Sequence, residues 1–513
     1  VWVKTTTDLL GRPVKEEKPG YLTTETTENF YNNKGQLVRQ STADGLQSLF
    51  AYDELGNQIR SGLDVNANGV LDLAGLDRIT ESEMSYVQIN NDWWQQTVNR
   101  LYTTDNSATP LTTSITRQRL TGFAANTIAE TISIDWLGNQ TVSTSILDRN
   151  NKKVTQTVNV PNSSSDDISI SVNGLLVSSQ RSTVSAPTLY AYDALGRPTG
   201  TTDPRLGTAT THYDSHGWLD FTEDAAGHRT TFGFDSATGR RLSQFNAMTG
   251  STYWAYTSYG KEEKIWGSAV NPVWFEYDAY NRQIKQHTYR SGSGFEGSAW
   301  PASAGEGDVT TWTYHEPSGL LTAKTYADGK AVTYTYTGNS KLETRNWARK
   351  DGTNDLVTTY SYNSAGDLTG IDYSDPAGSG TSSTPDVSFT SDRLGRQKTA
   401  SSSVSAHTFA YSGLLLDSET IVSSAGTNVI DRSYDFVGRP VAAALSAVSA
   451  PPDYQVAYGY DALGRLNQIS NFQFQASYSY LPNSDLLETL STDNGLLTIR
   501  SYEPNRNLLT EIE

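Results

Sequence analysis

A short phrase returns along this chain and restricts it to a fold of successive hairpins. It stands as Tyr192-Asp193-Ala194-Leu195-Gly196-Arg197 and as Tyr460-Asp461-Ala462-Leu463-Gly464-Arg465. Looser copies are Tyr52-Asp53-Glu54-Leu55-Gly56-Asn57, Tyr213-Asp214-Ser215-His216-Gly217 and Tyr434-Asp435-Phe436-Val437-Gly438-Arg439. The stretches 8–12, 135–139, 235–240 and 392–396 keep Asp or Gly and lose the Tyr, and Asn281 replaces the Gly in the copy at 277–282. The glycines set a period: 21 residues separate Gly35 from Gly56 and Gly196 from Gly217, and 22 separate Gly217 from Gly239.

Asp at the head of a turn accepts hydrogen bonds from backbone N–H groups two residues on. Gly three residues later takes φ > 0 without a Cβ penalty, and Asn is the next best occupant. The phrase therefore predicts a type I turn closed by a Gly bulge. Its flanks alternate with period two, as in Phe232/Phe234, Trp312/Tyr314 and Tyr478/Tyr480. Each such pair places two rings on one strand face. A lone hairpin is marginal in water, so neighbouring units must pair edge to edge. The expected fold is all-β, a run of antiparallel β-hairpin repeats winding into a hollow shell, barrel or tube.

Composition agrees: 29 Tyr and 11 Trp occur with 41 Gly, and no stretch carries a helical period. The 513 residues contain no Cys, which excludes disulfides and thiolate chemistry. A formal net charge of −17 repels phosphate backbones, so nucleic acid is not an expected partner. No apolar run is long enough for a membrane span, and no signal peptide opens the chain. The start at Val1, in what reads as mid-strand, suggests part of a longer protein.

Residues 1–62 read as repeats. Residues 63–185 form an irregular β region, and 186–513 return to regular repeats with inserted loops at 291–307, 374–385 and 448–453. A Ser/Asp-rich loop is expected at 161–167. One continuous β-shell is the simplest organisation.

These phrases, with intervening turns such as Asp224-Ala225-Ala226-Gly227 and Tyr326-Ala327-Asp328-Gly329, resemble YD (Rhs) repeats. That family includes bacterial Rhs proteins, toxin-complex shell subunits and teneurins. The resemblance covers nearly the whole chain, most clearly 190–510. It implies a secreted or cell-surface bacterial structural shell that encloses a polypeptide such as a toxin, or that self-associates through its terminal strands into a surface structure. The family's aspartyl autoprotease is not carried over to this chain, so no cleavage activity is assigned. Alternatives are an adhesion or glycan-binding module and a polysaccharide-degrading lyase.

The clearest candidate site is Asp64-Val65-Asn66-Ala67-Asn68-Gly69-Val70-Leu71-Asp72. Asp64, Asn66, Asn68, the Val70 carbonyl and Asp72 fall at the alternate positions of a calcium loop, with Gly69 at its bend. Gly75 stands where a bidentate Glu belongs, and Asp77 is the substitute. The cofactor expected is a structural calcium ion; a polar turn inserted after a hairpin is the plainer alternative. His212, His216 and His228 fall close together, as a zinc site would need, although ordinary strand and turn positions explain them as well. Tyr213, His228 and Arg229 are the residues a lyase would use, yet Tyr belongs to the repeat itself and meets His by chance. Trp93-Trp94 places rings on opposite strand faces, one of them exposed or inserted, which suits glycan stacking or core packing. No nucleophile elbow, P-loop or dinucleotide fingerprint occurs, so neither catalytic nor cofactor-binding residues are assigned.

Overall fold

The computed structural model describes residues 2–161, 166–182, 184–290, 294–373, 384–447 and 454–513, without the side chain of Asp351. Among them the chain forms 42 β-strands, from β1 (Lys4–Thr7) to β42 (Leu509–Ile512), and no helix. Each strand pairs antiparallel with its neighbours in sequence, and strands further apart do not touch. None of the described helices could cross a membrane, since there are none. The inserted loops at 374–385 and 448–453 lie almost wholly outside the described residues, as does the middle of 161–167.

The repeat phrase builds the predicted turn. At 193–197 the Gly196 N–H donates to the Asp193 carbonyl and the Asp193 N–H to the Arg197 carbonyl, each at 3.0 Å. Asp193 Oδ1 accepts the N–H groups of Leu195 and Arg197 at 2.9 Å. Gly196 sits at φ 79°, and Asn281 holds φ 61° in the same slot.

The Tyr and Arg of the phrase join one hairpin to the next. Arg439 Nε donates to Asp435 Oδ2 at 2.7 Å, while its guanidinium lies 4.4 Å from the ring centre of Tyr460 in the following repeat. Tyr460 Oη in turn donates to the Pro440 carbonyl at 2.7 Å. Arg465, Tyr480 and the Leu466 carbonyl repeat the arrangement one unit on. Tyr52, Tyr256, Tyr336 and Tyr411 make the same latch. Burial raises the phenol pKa of Tyr256 and Tyr480, keeping each a donor.

The loops leaving odd-numbered strands form one rim of this ribbon, the motif rim. Those leaving even-numbered strands form the other, the return rim. The return rim of the first 250 residues rests on the motif rim of the last 200. Tyr21 packs edge-on against His315 and Tyr336 at 5.1 and 5.4 Å. Asn339 Nδ2 donates to Asp44 Oδ2 at 3.0 Å, Asn139 Nδ2 to the Phe436 carbonyl at 2.9 Å, and the Ser185 N–H to Asn483 Oδ1 at 3.0 Å. Arg205 hydrogen-bonds Asn507. The partners in these last four pairs stand 295 to 302 residues apart. The ribbon is therefore a spiral of nearly two coils, joined along a seam and not closed into a barrel by strand pairing.

Asp44 follows β4 (Leu37–Thr42) and Asn339 follows β27 (Ala331–Tyr336), 23 strands later. At about 4.8 Å per strand, a coil of ~24 strands has a circumference of about 115 Å and a diameter of about 37 Å. The accessible surface is 28988 Å². A compact chain of 56.1 kDa exposes roughly 18,000 Å². The excess is that of a single layer with both faces open.

Residues 63–185 contain the longest strand, β7 (Arg78–Ile89), paired with β8 (Asp92–Leu101). Among the described residues, four of the ten buried hydrophobic ones, Ile79, Trp94, Val98 and Tyr102, lie there. The insertion that ends at 307 is more than a surface loop. Trp300 packs on Trp266, Tyr289 and Phe295 at 5.1–5.6 Å, and Trp266 Nε1 donates to the Gly297 carbonyl.

Candidate functional site: the seam and the 64–77 loop

Two loops of the first coil, 65–77 and 102–110, converge on one turn of the second coil. That turn, 392–396, has the usual geometry: Asp392 Oδ1 accepts the N–H groups of Leu394 and Arg396, and its Oδ2 accepts Arg396 Nε. Its second position carries the cation Arg393, where the other quoted copies carry a small or apolar residue or, at Glu54, an acid. Arg393 is 1% exposed. Its guanidinium donates to the carbonyls of Asp77 (2.7 and 3.0 Å), Leu73 (3.0 Å), Ser107 (2.9 Å), Thr104 (3.2 Å) and Asp72 (3.5 Å). The Arg393 N–H donates to Asp105 Oδ1, and Lys398 reaches Asp105 Oδ2 at 2.7 Å. The guanidinium lies 5.2 Å from the ring centre of Tyr102. Burial lowers its pKa from the usual guanidinium value, and the nearby Asp77 and Asp105 oppose that shift.

The carbonyls that receive Arg393 are aimed by the 64–77 loop. Asp64 and Asp77 are both buried. Asp64 accepts the Asn68 and Gly69 N–H groups at 3.2 and 2.7 Å. Asp77 accepts those of Val65 and Asp72 at 2.8 and 2.7 Å, so it clamps the loop closed. Asn66 Nδ2 and Asn68 Nδ2 both meet Asp72 Oδ2 at 2.8 Å. The structure thus brings the side chains of Asn66, Asn68 and Asp72 to one point, with Asp64 beneath the bend. The Val70 N–H is held by Asn68 Oδ1. Oxygen in place of nitrogen at that point requires both amides to rotate, which gives up the Asn68 and Val70 N–H groups that their Oδ1 atoms accept.

Other sequence candidates disperse. His212 pairs with Asp220 at 3.0 Å and stacks on Phe221, and His216 stacks on Trp218. His228 lies against its own turn residue Asp224. Among the described residues no three His, Asp or Glu side chains gather as a metal-binding group. Tyr213 and His228 stand at opposite ends of β18 (Leu219–Glu223), Tyr213 under Arg197 and Arg229 bound to Glu223. The trio expected of a lyase is therefore not assembled. Trp94 is 4% exposed and Trp93 47%, as alternation on a strand requires. Sequence reasoning missed Arg393; its one signal was a long cation in a turn position that in the other quoted copies holds no Lys or Arg.

No family model and no curated protein matches this chain. Among solved structures, the crystal structures of TcdB2-TccC3-Cdc42 and TcdB2-TccC3-TEV are each similar over 98% of this chain and 26% of theirs, with a TM-score of 0.45 and 14% identity. That of TcdB2-TccC3 is similar over 99% of this chain and 35% of its own, at 0.43 and 13%. The chain thus spans about a quarter to a third of the length of these proteins.

Proposed function

We propose that this chain is a wall: a YD/Rhs-type ribbon, wound into a hollow body that encloses a polypeptide cargo such as a toxin, outside a bacterial cell. The observation that carries this reading is the single-layer spiral, whose surface far exceeds that of a compact protein of its mass. A single layer held by latches and a seam leaves an interior about 25 Å across once side chains are allowed for, from strand and sheet spacings. That suffices for an extended or partly folded chain. Electron microscopy of the purified protein tests the reading. Hollow particles of roughly 50 Å outer diameter support it, and solid globules or separated hairpins sink it. In the same proposal Asp64, Asn66, Asn68, the Val70 carbonyl and Asp72 hold calcium, which would stiffen the loop that receives Arg393. Calcium should then raise the thermal midpoint of the native chain and leave that of Asp72→Ala unmoved.

A further inference from the structure

The hairpin of β7 and β8 projects beyond the motif rim. β6 (Gln58–Asp64) pairs with β7 only from Arg78 to Glu81, so the outer half of β7 is paired along one edge only, by β8. The two faces of this projection differ. One face carries Trp94 and Val98, with charged groups paired above them: Arg100 with Glu83, and Arg119 with Glu130 and Asp92.

The other face is bare and uncharged. Its outer ranks follow from the strand register. One rank holds Gln88 opposite Trp93, with Leu120 beyond. The next holds Tyr86, Gln95, Gln118, Thr131 and Ser143, and the third Met84, Thr97, Thr116, Ser133 and Thr141. Tyr86 is 61% exposed and Trp93 47%. They are diagonal neighbours across two strands, about 7–8 Å apart in backbone. The acidic excess of −17 contributes nothing to these ranks.

From this face we infer a binding platform for neutral polysaccharide. A sugar ring has apolar C–H faces and a hydroxyl edge, so it needs flat aromatic surface beside amides and hydroxyls. The Tyr86–Trp93 diagonal with Gln88, Gln95 and Gln118 supplies that mixture. A protein partner would also accept Tyr86, Trp93 and Met84, but its interface core favours Arg, which these ranks lack, and apolar area that the Gln, Ser and Thr of each rank interrupt. A membrane surface wants basic residues, equally missing. The absence of cations also disfavours acidic glycans.

The test is retardation of the purified chain in native gels containing hydroxyethyl cellulose, galactomannan or dextran, with alginate as the acidic control. At least one neutral polymer should retard the native chain and alginate should not. Trp93→Ala, Tyr86→Ala and Gln95→Glu should each weaken the retardation by about tenfold or more, with unchanged circular dichroism. Failure of every neutral polymer overturns the inference. So does retardation that Trp93→Ala leaves intact, or a preference for alginate. An extended peptide whose binding is abolished by Met84→Pro, which removes an N–H from the open edge of β7, and untouched by Trp93→Ala would instead assign this hairpin to strand addition. None of these outcomes bears on whether the ribbon is hollow.

Discussion

The turns at 193–197 and 392–396 are the same object in two settings. Their Asp–backbone and Asp–Arg hydrogen bonds agree to within 0.1 Å. The first lies on the motif rim of the first coil, where Leu195 is 78% exposed. The second lies in the seam, where Arg393 is buried and Leu394 half-buried. The turn is thus fixed by its first, fourth and fifth residues. The second and third are left free, and that freedom is what the seam uses.

Breaking this comparison begins with Arg393→Ala. Five carbonyls lose their donor and the first-coil loops lose their anchor. The expected loss is about 3–5 kcal/mol, read as a lower urea midpoint and as new proteolytic cleavage within 65–110. Ala194→Arg, the mirror change on the free rim, should move neither readout. Equal effects of the two would mean that the seam contributes nothing.

Gly196→Val and Gly464→Val force a branched side chain into a left-handed turn residue. Each should cost about 1–2 kcal/mol. The turn geometry is shared, but a Cβ at Gly464 would also stand 2.9 Å from Arg439 Nη1, so its penalty should be the larger. Tyr460→Phe removes one latch hydroxyl and leaves the Pro440 carbonyl without that donor. About 1 kcal/mol is expected, measured by the same denaturation.

The smallest effect is acid sensitivity. The Arg197 N–H holds the Asp193 carboxyl below its ordinary pKa, and the Arg12 side chain does so for Asp8. A carboxylate with a depressed folded pKa stabilises above its unfolded value, near 3.9, and that stabilisation is lost as pH falls through the folded pKa. Asp8→Asn with Asp193→Asn should therefore flatten the dependence of stability on pH below about 4, seen in paired titrations followed by circular dichroism.

The hairpins were legible because every determinant is local. Asp193, Gly196 and the alternating rings specify turn and strand within a few residues, and Asn281 fits by the same rule. The roles of Tyr and Arg were not legible, since Tyr460 acts on Pro440 and Arg439 on Tyr460, a full repeat apart. The seam was further out of reach. Nothing near Asp44 in sequence announces Asn339. The 64–77 loop was found as a cluster of oxygen-bearing side chains, while its second task, aiming carbonyls at Arg393, depends on a turn some 320 residues away.

A separation of 23 to 25 strands across the seam makes the number of hairpins per coil a matter of mesh. Insert one hairpin between Ser185 and Asn339, and these teeth of the upper rim slide by two strand widths, close to 10 Å. Arg393 would then face a different loop, and so would Asn339, Phe436 and Asn483 at once. Such a chain can lengthen at its extremities or within a loop, but its midsection can change only in steps that bring the whole gear back into phase.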